Sequence, residues 1–158
     1  AVIPLPDFKQ KTVQIGYLAR TANLLGIKTP KIACIAPSEQ LLPNVVSSTE
    51  GALLAKMADR GQLGDVVVDG PLSLDVALYK EVAEHKKVRG SSVAGDPDCL
   101  LFPNLESANV FFKSVSHLCG GELAAMVMGT KVPCVLTSRG DTSKTKLYSI
   151  ALACLAAR

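Results

Sequence analysis

Tryptophan is absent from this 158-residue chain, and aromatic residues of all kinds make up only 4% of it. Lys and Arg are scattered rather than clustered, and the formal net charge is a modest +3. Nothing in that balance forms a basic stripe, so no nucleic-acid partner is expected. Histidine occurs twice, at His85 and His117. Each lies in a helix-like segment without a cysteine motif beside it, so a cysteine–histidine nucleophile is not expected. No apolar run approaches the ~20 residues of a membrane span, and no membrane association is expected. The first residues show no basic lead followed by an apolar stretch, so no export signal is expected either. Glycine-rich dinucleotide and phosphate-loop fingerprints are both missing, which argues against NAD and ATP as ligands. The five cysteines (Cys34, Cys99, Cys119, Cys134 and Cys154) are odd in number and match no metal-ligand spacing. They read as small buried hydrophobes in a reducing cytoplasm, with no metal bound. The chain opens at Ala1 rather than Met, in a proline-rich lead, as a processed protein or a portion of a longer one would.

What is present is the composition of a globular domain: 48% hydrophobic and 20% charged residues, at a length that buries a real core. Asp7 is placed to cap a helix carrying Val13, Tyr17, Leu18, Leu24 and Leu25, with Gly26 as its stop. A strand follows at Ile32–Ala36. Ser47 with Glu50 three residues on has the spacing of a capping box and predicts a helix through Met57, ending at Gly61. The β-branched run Asp65–Asp69 predicts a buried strand that Gly70-Pro71 ends, and Ser73 starts the next helix, around Val76 to Ala83. Cys99–Phe102 is a further strand and Leu105–Leu118 a helix. Two more strands, Glu122–Met128 and Val132–Leu136, are expected around a Gly129 turn. The chain closes with a helix over Thr142–Ala157. Continuously apolar strands alternating with helices indicate an α/β fold: a mostly parallel sheet with helices on both faces.

In such sheets ligands bind where strands end and helices begin. Three loops there carry polar chemistry. Asp69-Gly70-Pro71 follows one strand. The segment 103–109 follows another, with Lys113 one turn beyond Asn109. The last and most informative stretch runs from Lys131 to Ser143, a buried strand that ends in the polar turn Ser138-Arg139-Gly140-Asp141 and passes straight into a helix. Free N–H groups and the helix dipole favour an anion there, and an arginine fork suits phosphate. Taken alone, Asp141 reads as the N-cap of the following helix. Ser138 reads as a hydroxyl satisfying the turn. Asn109 and Lys113 share one helix face, and Asp69 fits a tight turn as well as it fits a site.

Five stretches, in order, carry a resemblance. They are Lys31–Glu39 (KIACIAPSE), Ser48–Asp75 (STEGALLAKMADRGQLGDVVVDGPLSLD), Gly95-Asp96-Pro97-Asp98, Phe102–Lys113 (FPNLESANVFFK) and Pro133–Ala153 (PCVLTSRGDTSKTKLYSIALA). Together they resemble the carboxyl-terminal half of the phosphate acetyl/butyryltransferase family, with an isocitrate/isopropylmalate dehydrogenase-like lobe. The resemblance implies a reversible transfer of a short acyl group between coenzyme A and inorganic phosphate, through an acyl phosphate. It implies no tightly bound cofactor and no metal, acyl-CoA as substrate, a cytoplasmic enzyme, and a homo-oligomer of two or more copies. Residues 1–130 would be the second α/β lobe. Residues 131–158 would be a final strand and helix that pack back toward an amino-terminal lobe.

By the same resemblance, Arg139 would bind phosphate and Ser138 would hydrogen-bond the reacting carbonyl or phosphate. Asn109, Lys113 and Asp69 would line the substrate or coenzyme A side. Acetyltransferase members place a catalytic aspartate where this chain has Thr145. Butyryltransferase-like members carry one two residues after the arginine, where Asp141 stands. That favours a butyryl-type acyl group over acetyl and makes Asp141 the candidate base. Ala108 replaces a glycine common in the family's loop. Because family members run to about twice this length, the chain alone is expected to fold but to lack full activity. A second reading stays open, a non-catalytic coenzyme A-binding or assembly module derived from the family. A third is an unrelated anion-binding α/β protein that shares only the turn.

Overall fold

The computed structural model describes residues 3–157. They fall into two compact units, one spanning Leu5–Pro103 and the other running from Asn104 onward with Ile3 and Pro4.

The first unit holds a three-stranded parallel sheet in the order β2-β1-β3, built from β1 (Lys31–Ile35), β2 (Val67–Leu72) and β3 (Cys99–Leu101). The side-chain alternation of β1 explains its layers, because successive residues of a strand face opposite sides. Ile32 and Cys34 pack with Val68, Leu101, Ile15 of α1 (Phe8–Leu24) and Leu54 of α2 (Val46–Asp59). Ala33 and Ile35 pack with Leu72, with Val76 and Ala77 of α3 (Leu74–Leu78), with Ala83 of α4 (Lys80–His85), and with Val93. Helices therefore cover both faces of a parallel sheet, as the sequence pattern requires.

Local chemistry sets the element ends. Asp7 closes a full capping box with Gln10, and Gly26 lies at φ +93°, where the chain leaves α1 in the left-handed region glycine favours. The Ser47/Glu50 box does not form. α2 begins at Val46 after an N-cap, Val45, that has no side-chain bond. Ser47 lies inside its first turn, and Glu50 is taken by an ion pair with Lys11 of α1. Gly70-Pro71 does not end β2. The strand continues through both residues to Leu72, with a register shift opposite Ala33–Ile35 of β1. The single helix expected after Ser73 is two short ones, broken at Tyr79, whose extended backbone (φ −123°, ψ 116°) ends α3 and begins α4.

The second unit contains α5 (Leu105–His117) and α6 (Ser143–Ala156). The two strands expected at Glu122–Met128 and Val132–Leu136 are replaced by irregular chain held by one antiparallel bridge, Val127 to Cys134. Ala125 is fixed differently, donating its N–H to the buried hydroxyl of Ser149 on α6. The cysteine expectation also needs correction. Cys34 is buried and Cys99 partly so, whereas Cys119, Cys134 and Cys154 are exposed.

Candidate functional site

The turn leading into α6 is organised by Asp141. One carboxylate oxygen, Oδ2, accepts the backbone N–H of Ser138 at 2.7 Å. The backbone N–H of Asp141 donates in return to the Ser138 carbonyl at 3.1 Å. The N–H of Gly140 lies 3.4 Å from the Ser138 hydroxyl oxygen. The other carboxylate oxygen, Oδ1, is 3.5 Å from Nζ of Lys113 on α5, and the Asp141 side chain is only 7% exposed. The Lys113 ammonium also sits over the Phe112 ring, 5.3 Å from its centroid. Three candidates that are far apart in sequence or unremarkable alone (Lys113, Ser138 and Asp141) thus form one hydrogen-bonded group.

Asp141 is not the cap of α6. That role belongs to Thr142, whose hydroxyl accepts the N–H of Thr145 at 3.1 Å. The two readings differ by one residue, and threonine and aspartate are both good caps, so sequence could not set the register. Thr145 itself is buried one turn into α6 and brings no carboxylate to the site.

Arg139 stands at the tip of this turn, exposed, and forms no hydrogen bond or ion pair with any described residue. A guanidinium left uncommitted beside a helix N-terminus is equipped to take an anion through two parallel N–H bonds. Asn109 is likewise exposed on α5, one helical turn before Lys113. Lys144, the next cation along, is not available in the same way. It pairs with Glu122, which also accepts the Tyr148 hydroxyl at 3.1 Å.

Asp69 belongs to the other unit and lies within β2, paired in register with Ala33. Its carboxylate accepts the N–H of the next residue, Gly70, at 2.8 Å.

At the carboxyl ends of β1 and β2 the same unit carries a polar group that sequence reading did not assemble. Lys86, following α4, reaches Asp75 at 3.0 Å, Ser73 at 3.3 Å and Glu39 at 3.5 Å. Ser73 also donates to Glu39 at 3.4 Å. The Ser73 hydroxyl, followed by the Lys86 ammonium, draws the Asp75 carboxyl down to about 2. Glu39 and Ser73 both sit where strands end, which was a usable signal. Lys86 gave none, because only the folding of α3 and α4 brings it back. Among the described residues no cluster of His, Cys, Asp and Glu suits a metal ion.

Comparison with known proteins gives a consistent result. The chain matches the family model described as phosphate acetyl/butaryl transferase over residues 1–154. It is 43% identical to the phosphate butyryltransferase of Clostridium acetobutylicum over 96% of this chain and 50% of that protein. It is 42% identical to the phosphate acetyltransferase of Thermotoga maritima over 93% of this chain and 50% of that one. Among solved structures, a branched-chain phosphotransacylase from Enterococcus faecalis superposes with a TM-score of 0.90 at 30% identity, covering 100% of this chain and 56% of the other. The chain therefore spans about half the length of the curated relatives it matches.

Proposed function

The chain belongs to the phosphate acetyl/butaryl transferase family, and from that premise we propose that it forms part of a phosphate acyltransferase. The enzyme moves a short acyl group reversibly between coenzyme A and inorganic phosphate, with a butyryl-type group preferred to acetyl. The observation that carries this reading is the uncommitted Arg139 at the tip of the turn before α6, with the Ser138 hydroxyl beside it.

In the direction of thioester synthesis, the coenzyme A sulfur attacks the carbonyl carbon of the acyl phosphate. The carbon–sulfur bond forms and the carbon–oxygen bond to phosphate breaks, its electron pair leaving with the phosphate. The proton lost by the thiol ends on the phosphate released, so no other reactant is needed. Arg139 holds the phosphoryl group by a bidentate, charge-assisted contact and steadies the charge that gathers there as the bond breaks. Ser138 donates a hydrogen bond to the reacting carbonyl or phosphoryl oxygen. Asn109, exposed on α5 in the same unit, adds a hydrogen-bonding group on the coenzyme A side, while Lys113 one turn on pairs with Asp141. Acyl-CoA, acyl phosphate and inorganic phosphate are the substrates, with no tightly bound cofactor. A homo-oligomer in the cytoplasm is the proposed setting, and free thiols suit its reducing conditions. Within the enzyme, residues 1–130 form a lobe, and residues 131–158 a segment that packs toward the remaining half of the family fold.

The test is phosphate-dependent release of free thiol from butyryl-CoA. A form of the enzyme with the length of its relatives is expected to release it, faster than from acetyl-CoA, and this chain alone is not. Arg139→Ala is expected to lower kcat/KM by about a hundredfold or more. No release from either form overturns the assignment. The half-length match to relatives also keeps a coenzyme A-binding module in view. It would bind coenzyme A without turnover in the same assay.

A further inference from the structure

Within the proposed reaction, on which this inference rests, Asp141 has two possible uses: general base for the thiol, or fixture of the turn. Its contacts favour the second. Both carboxylate oxygens already face donors, the Ser138 N–H at 2.7 Å and the Lys113 ammonium at 3.5 Å. Its side chain is only 7% exposed, so little of the carboxylate is open to a further partner. The carboxylate and the backbone N–H of Asp141 grip the N–H and the carbonyl of Ser138, bracketing the residues at the tip, Arg139 and Gly140. A bare carboxylate at this position would also repel a phosphate dianion held by Arg139. The charged group that faces it, Lys113 on α5, offsets that repulsion.

We propose that Asp141 is a positioning residue: its carboxylate, held by Lys113, closes the Ser138–Asp141 turn and aims the Ser138 hydroxyl and the Arg139 guanidinium at the phosphoryl end of the substrate. Lys113 then acts through Asp141 rather than by contact with coenzyme A.

Three substitutions in the full-length enzyme separate the roles. Asp141→Asn keeps an acceptor oxygen for the Ser138 N–H and removes the charge. Asp141→Ala removes both, and Lys113→Met removes the partner. A positioning role predicts that Asp141→Asn lowers kcat/KM by about tenfold, mainly through the KM for phosphate, with the acid limb of the kcat–pH profile in place. Asp141→Ala should be clearly worse. Lys113→Met should resemble Asp141→Asn, and the double variant should be no worse than either single one. A kcat loss of ~10²–10⁴ in Asp141→Asn together with loss of the acid limb marks a general base and overturns the proposal. Additive losses in the double variant overturn the part assigned to Lys113.

The Ser138 amide proton gives a readout independent of turnover. Its NMR resonance should be shifted downfield and protected from exchange in the parent and in Asp141→Asn, and should lose both properties in Asp141→Ala. An amide indifferent to Asp141→Ala sinks the proposal even in an active enzyme. An enzyme with no turnover sinks the acyl-transfer reading, while the amide still judges the turn.

Discussion

Gly70 and Cys34 meet where β1 and β2 run side by side. A Cβ built on Gly70 would stand 2.6 Å from the Cys34 Cβ and 3.1 Å from the Cys34 carbonyl oxygen. No side chain fits there without moving the strands. Gly70→Ala is therefore expected to destabilise the protein by about 1–3 kcal/mol in urea unfolding. The same crowding buries the Cys34 thiol, and burial, with the nearby Asp69 charge, pushes its pKa from 9.0 up to about 12. A thiol held neutral in the native state contributes stability that is present below pH ~9 and lost as the pH rises toward 12. Native protein should accordingly react with a thiol reagent at Cys119, Cys134 and Cys154, the exposed cysteines, and at Cys34 only on unfolding. Fast labelling of Cys34 in the folded protein would refute this. Nothing in the sequence distinguished these cysteines, since each lies in or beside an apolar run. Only the irregular course of residues 119–142 leaves Cys119 and Cys134 in the open.

Helices α1 and α2 are joined by the ion pair of Lys11 and Glu50, with side chains 6% and 17% exposed. Removing one partner strands the other where water barely reaches. Lys11→Met alone should cost on the order of 3 kcal/mol, and Lys11→Met with Glu50→Leu should recover most of it. Additive losses in that cycle would show that the pair is not the cause. On the opposite face, Ser73 and Lys86 hold the Asp75 carboxyl at about 2, below its ordinary 3.8. A depressed carboxyl contributes stability that is present above pH ~4 and lost as the pH falls toward 2. Asp75→Asn should flatten that acid limb in a pH series of thermal unfolding. The side chain is half exposed, so the effect should stay below about 1 kcal/mol. Glu50 also shows how local reading fails. The Ser47–Glu50 spacing is that of a capping box, but a buried lysine on another helix competes for the carboxylate and wins. Asp7–Gln10 has no such competitor, and its capping box forms as read.

Across the whole chain, legibility follows burial. β1, β2 and β3 were readable because each supplies buried apolar residues to a parallel sheet. The segment 119–142 carries similar apolar residues, yet Val132 and Leu136 are 70% and 72% exposed and no strand forms. Apolar content there did not report a packed sheet. The candidate site was half legible: its residue types and turn were visible, but the Lys113–Asp141 contact depends on α5 and the turn meeting in space. The two units should then differ in stability. The Leu5–Pro103 unit contains both apolar clusters, with Ile15, Ile32, Leu54, Leu72, Val76 and Val93 fully buried. In the other unit α5 buries no residue, and α6 buries only Thr145 and Ser149, while Leu147 and Ile150 stay more than half exposed. Burial of apolar area is the main force holding a helix against fraying. Amide hydrogen exchange on this chain should therefore show α5 and α6 opening at far lower free energy than β1, β2 and α2. Uniform protection across all of these elements would mean that the second unit is stabilised by something other than its own core. The proposed packing of residues 131–158 toward the remaining half of the family fold predicts that adding that half raises protection in α6 selectively, where Leu147, Ile150 and Leu155 are exposed.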